Sequence, residues 1–191
     1  MGFRNFQITK AFAENVTNTF AVGPQDTRVG AIAFSGFANV SFRLNSFTNR
    51  SQVVQAIREI VYFDIPGGRR PSTNTAGALR TLRLDVLTTA AGARQQILAI
   101  PRVAIVITDG RSNVNRSQTI PEAEAVREDG IIVFAVGIGR RINMAELNAI
   151  ASSPNFVSRL SDFNVIEFQS LQRILSVEAC RSMSVYFIFC P

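Results

Sequence analysis

Two short stretches carry the side chains best suited to chemistry. "STNT" (residues 72–75) ends a turn-rich loop and offers hydroxyl oxygens and backbone N–H groups ahead of a helical pattern. "VITDG" (106–110) ends an apolar run on Asp109, at the point where a buried strand reaches solvent. Hydroxyl, carboxylate and water oxygens are what a hard divalent cation such as Mg²⁺ prefers. A capped helix start and a turn aspartate would explain the same residues.

Other chemistries are poorly served. The chain has no histidine, which removes the usual general base of a Ser–His hydrolase and the partner of a catalytic cysteine. With two cysteines, Cys180 and Cys190, and no Cys-x-x-Cys pair, a zinc site of the common kinds has no ligands. Asp64, Asp85 and Asp109 form no spaced acid/base pair, and neither a GxSxG elbow nor a phosphate loop occurs. "GIGRR" (137–141) is too short for a dinucleotide fingerprint. The reading is not an enzyme.

The 191 residues fit one domain with a real core, at 47% hydrophobic and 18% charged. The net charge of +6 is almost all arginine, Lys10 being the only lysine. These arginines are scattered, with doublets only at Arg69-Arg70 and Arg140-Arg141, and no aromatic-flanked basic stripe accompanies them, so no nucleic-acid partner is expected. No apolar run approaches the roughly 20 residues of a membrane span, and no secretory signal is visible.

The elements that must carry the two stretches follow from periodicity. Ile8, Phe12, Val16 and Phe20 recur every four residues and predict a helix over 3–20, stopped by Gly23-Pro24. Val29–Phe34 reads as a buried strand, and Val40–Leu44 alternates like a half-exposed edge strand. Helices follow through Val53–Val61 and over 76–88. Val103–Thr108 and "IIVFAVGIG" (131–139) are apolar on both faces, as parallel strands are. Between them lies a helix with Pro121 in its first turn, stopped by Gly130. Asn143 with Glu146 resembles a capping box. Phe156–Leu160 predicts a last strand and Val165–Val177 a last helix. Strands alternating with helices make a doubly wound α/β fold, a mostly parallel sheet flanked by helices with one antiparallel edge strand. In such sheets ligands bind beyond the carboxyl ends of the strands, where Asp109 lies.

Six blocks in order, "NFQITKAF" (5–12), "RVGAIAFS" (28–35), "STNTAGAL" (72–79), "VAIVITDGRS" (103–112), "GIIVFAVGIG" (130–139) and "ELNAIASSP" (146–154), resemble the von Willebrand factor A domain, especially that of matrilins and collagen-associated modules. The resemblance covers residues 1–180 and leaves 181–191 as a tail outside the family pattern. It implies an extracellular adhesion or matrix module that binds collagen-like or other matrix proteins. In such modules a metal-ion-dependent adhesion site holds Mg²⁺ (or Mn²⁺ or Ca²⁺), with one coordination position left for a partner's carboxylate. Its threonine maps onto Thr73, with Thr75 as the alternative, and its aspartate onto Asp109.

The family's Asp-x-Ser-x-Ser loop and the first, central strand before it have no counterpart ahead of residue 2. The resemblance therefore implies an empty lane between Val29–Phe34 and Val103–Thr108, and a metal site weak or absent here. An incomplete chain, a lane refilled by "SVYFIFC" (184–190), and a chain that does not fold alone are the three outcomes, with the first favoured. Asn15, Asn39, Asn49 and Asn115 begin glycosylation sequons, in keeping with an extracellular or secreted protein. Cys180 falls where the family often closes a disulfide.

Overall fold

The apolar runs assemble into one six-stranded sheet, in the order β2-β1-β6-β3-β4-β5. The computed structural model describes residues 2–62, 72–94, 100–139, 142–160 and 184–190. Along the chain the elements are α1 (Phe3–Asn18), β1 (Arg28–Phe34), β2 (Ala38–Phe42), α2 (Arg50–Glu59), α3 (Thr75–Thr81), β3 (Arg102–Thr108), α4 (Thr119–Glu128), β4 (Ile131–Ile138), α5 (Met144–Ile150), β5 (Val157–Leu160) and β6 (Ser184–Phe189). The β1–β2 pair is antiparallel; every other pairing is parallel. This is the mostly parallel, helix-flanked sheet with an antiparallel edge that the patterning predicts. The helix expected over 165–177 and the doublet Arg140-Arg141 lie outside the described residues.

The lane between β1 and β3 is filled. Residues 184–189 lie parallel to both neighbours, with Ala31 opposite Phe187 on one side and Ile105 opposite it on the other. A central parallel strand is covered on both faces, and all six residues of β6 are buried. Val185, Phe187 and Phe189 join the core layer beneath α1 and α2, beside Val103, Ile105 and Ile107. Tyr186, Ile188 and Cys190 join the opposite layer beneath α3, α4 and α5, beside Ala104 and Val106. Burying side chains of the Phe and Ile type stabilises by about 1.5–3 kcal/mol each, so β6 is a principal part of the core. Local pattern alone leaves 184–190 open between a strand, an interface segment and an extension. Pairing on both sides decides for a strand.

The helices follow their sequence signals with local differences. Asn49 caps α2 by accepting from the Gln52 N–H, and Asn143 caps α5 by accepting from the N–H groups of Ala145 and Glu146. The helix expected over 76–88 keeps α-geometry only to Thr81 and then widens into one π-type turn over Leu82–Val86. Lys10 is buried with its ammonium donating to the carbonyls of Arg58 (2.7 Å) and Ile60 (3.2 Å), which ties α1 to the end of α2.

Candidate metal and docking site

Because the five parallel strands share a direction, their carboxyl ends meet at one edge. There the loops after Phe34, Thr108 and Phe189 converge on Ser72–Asn74, the approach to α3. Thr73 is held from several sides. Its N–H donates to Asn113 Oδ1 at 2.8 Å, and its carbonyl accepts from the N–H groups of Asn113 (3.0 Å) and Val114 (3.2 Å) and from Ser112 Oγ (3.2 Å). Thr119 Oγ1 in turn donates to Ser112 Oγ at 3.0 Å. Asn74 fastens the same segment to the loop after β1: its N–H donates to the Ser35 carbonyl (2.7 Å) and its amide to the Gly36 carbonyl (3.0 Å), while its Oδ1 caps α3 at Gly77. The backbone of Thr73 is thus fixed on both its N–H and its carbonyl, the kind of support a positioned ligand requires.

Asp109 follows β3 directly and is half-buried. The turn it begins is closed by Thr108, whose hydroxyl donates to the Gly110 carbonyl and accepts from the Gly110 N–H. This turn passes beside Thr73, since a β-carbon on Gly110 would stand 3.9 Å from Thr73 Oγ1. Cys190 closes the hollow from below. Its N–H continues the sheet by donating to the Ile107 carbonyl at 3.0 Å, and its Sγ lies 3.9 Å from Thr73 Oγ1. Burial pushes the Cys190 thiol up, and the charge of the neighbouring Asp109 carboxylate adds to that. Thr73 and Asp109 therefore both act on one buried thiol at one edge of the sheet. Thr75, the alternative to Thr73, is fully buried, and its hydroxyl has no hydrogen-bond partner.

The support of Thr73 by Ser112 and Asn113, and of Ser112 by Glu146, has no cue in the sequence. Ser112 and Asn113 grip Thr73 from the loop after β3. Glu146, the second half of the capping-box pattern, accepts from the Ser112 N–H at 2.8 Å and so braces that loop from α5. Cys190 carries a signal only as the last residue of the possible strand 184–190.

As donors for a hard cation the described residues fall short. They contain no group of three or more His, Cys, Asp or Glu side chains able to hold a metal ion. The Thr73 carbonyl already accepts three hydrogen bonds, and the third corner carries sulfur. Mg²⁺ and Ca²⁺ take six or more oxygens, with a near-octahedral set for Mg²⁺. Thr73 Oγ1 and Asp109 do not fit that demand alone.

The sequons occupy exposed positions: Asn15 within α1, Asn39 on β2, Asn49 at the start of α2 and Asn115 in the loop after β3, where φ is +48°. Cys180 lies outside the described residues.

The sheet order and the helices on both faces coincide with a match to the von Willebrand factor type A domain over residues 1–174. The chain belongs to that family. It is 34% identical to human matrilin-4 over 165 residues, 85% of this chain and 25% of the matrilin. It is 31% identical to the human collagen alpha-1(XX) chain over 183 residues, 96% of this chain and 13% of the collagen. The chain thus spans about a quarter or less of these two relatives. Among solved structures, proximal thread matrix protein 1 from the mussel byssus superposes with a TM-score of 0.78 at 26% identity, covering 93% of this chain and 42% of that one. A further structure of the mussel protein, with a zinc-occupied MIDAS motif, superposes at 0.75 and 23% identity, covering 92% and 42%. Among the described residues no helix is long and apolar enough to cross a membrane.

Proposed function

We propose that this chain is an extracellular matrix-assembly or adhesion module that docks matrix proteins, collagen-like or of its own family, on the carboxyl edge of its sheet, and that it is not an enzyme. One observation carries the reading. Four of the exposed large apolar side chains stand at that edge: Phe37 (76% exposed) in the β1–β2 turn, Phe3 (62%) at the start of α1, Ile120 (46%) at the start of α4 and Met144 (37%) at the start of α5. Each of these helices runs antiparallel to the strands, so its first turn shares an edge with Asp109. Exposed Arg111 and Arg116 lie on the loop between them. Apolar anchors within a basic rim suit a protein partner with apolar and acidic side chains.

In the family's intact site a divalent cation would bridge the domain to such a carboxylate. We assign Thr73 and Asp109 to that set and read the site as incomplete. The matrilin, collagen and byssus relatives support matrix proteins as the partner class.

The test is solid-phase binding to fibrillar collagen and to matrilin, comparing the natural chain with a Phe37→Ser/Ile120→Ser variant. Both side chains are exposed, and circular dichroism of the variant checks that it is folded. Loss of two anchors is expected to weaken binding about tenfold or more, roughly 1.4 kcal/mol. Undiminished binding by the variant would remove this edge from the interface.

A further inference from the structure

We propose that Cys190 takes up the corner of the hollow that a cation-binding carboxylate would need, so that this chain's edge works without Mg²⁺ or Mn²⁺. The proposal rests on Thr73 and Asp109 marking the site, but not on any partner. Phe189 of β6 pairs with Ala33 on one side and Ile107 on the other. The next residue, Cys190, thus follows the strand in the lane from which the family's site loop departs with an aspartate. Its backbone is locked there by the bond to the Ile107 carbonyl, and its Sγ faces Thr73 Oγ1 at 3.9 Å with the residue fully buried.

The consequences follow from donor chemistry. A thiol is a soft donor and a poor ligand for hard cations, which select carboxylate, hydroxyl, carbonyl and water oxygens. Oxygens that could compensate are engaged elsewhere. The Thr73 carbonyl accepts from Ser112, Asn113 and Val114, Asn113 Oδ1 accepts from the Thr73 N–H, and Glu146 Oε1 accepts from the Ser112 N–H. The buried sulfur stands 3.9 Å from Thr73 Oγ1, in contact with the hydroxyl that would face a cation. What remains is a rigid rim with Asp109 on it, suited to direct polar contact with a partner.

Calorimetric titration and thermal unfolding with MgCl₂ and MnCl₂ test this on the whole chain, as the natural protein, as Cys190→Asp, and as Cys190→Asp combined with Thr73→Ala. The natural protein is expected to show no saturable binding and no shift in melting temperature. Cys190→Asp should be destabilised in chelator, where two carboxylates face each other, and should regain stability with saturable Mn²⁺ binding. Adding Thr73→Ala should weaken that binding about 10-fold or more. Saturable Mn²⁺ binding by the natural protein would overturn the proposal, as would a folded Cys190→Asp that binds no Mn²⁺. If Cys190→Asp does not fold, Cys190→Asn supplies an oxygen of similar reach, and the natural protein's titration remains decisive.

Discussion

Gly30 and Tyr186 lie directly opposite each other on β1 and β6, and the tyrosine ring occupies the space where a β-carbon on residue 30 would be. That β-carbon would stand 2.2 Å from Tyr186 Cε1. On the other side Tyr186 faces Ala104 of β3, another small residue. The tyrosine cannot swing away freely, because its hydroxyl donates to the Val86 carbonyl at 2.8 Å. The lane is shaped for this strand in this register.

Gly30→Ala is therefore expected to destabilise the fold by about 1–3 kcal/mol through overpacking, and Gly30→Val by more. Denaturant unfolding measures it. The same glycine replaced in a Tyr186→Leu background should cost much less, because the ring is gone. Equal costs in both backgrounds would separate Gly30 from Tyr186.

Tyr186 also sets an alkaline limit. Burial pushes its phenol well above the ordinary value of 10.0. A folded pKa raised above the unfolded one means that the folded state keeps a proton the unfolded state releases. The stability from this group is fully present below about pH 10 and falls as pH rises beyond it. Tyr186→Phe should lose about 0.5–1.5 kcal/mol at neutral pH with the hydrogen bond and show a shallower decline between pH 10 and the alkaline transition. An unchanged slope in that variant would contradict the assignment.

For a protein made through a secretory pathway, Asn39, Asn49 and Asn115 are expected to carry glycans, since each is exposed in a strand edge, cap or loop. Asn15 is expected to be the least occupied, because its sequon lies within α1 and Thr17 is buried. Peptide mass spectrometry after enzymatic release reads all four. Secreted material bare at every sequon would count against the extracellular reading.

Much of the scaffold was legible because it is local. Doubly apolar runs such as Val103–Thr108 can only be central strands, and a loop residue following such a run, Asp109, must sit at the carboxyl edge. Asn143 was legible as a cap for the same reason. What was not legible is non-local. Nothing in "SVYFIF" names its neighbours, since a parallel pairing between residues 30 and 186 leaves no local trace beyond a glycine inside an apolar strand. That glycine was the available signal, because a strand glycine often marks a close approach. The grip of Ser112, Asn113 and Glu146 on the Thr73 segment was hidden likewise, each being an ordinary polar residue until the loops converge. The early end of α3 at Thr81 has no strong sequence cue, as Leu82, Arg83 and Leu84 are good helix formers and neither Gly nor Pro interrupts Leu82–Val86.

β6 lies between β1 and β3 inside the sheet and delivers Cys190 to the edge beside Thr73. Hydrogen exchange of the amides of residues 185–190, followed by NMR or by mass spectrometry of overlapping peptides, measures this directly. Amides bonded on a central parallel strand should open only with global unfolding, exchanging as slowly as those of β3. Exchange in 185–190 as fast as in exposed loop amides would contradict it.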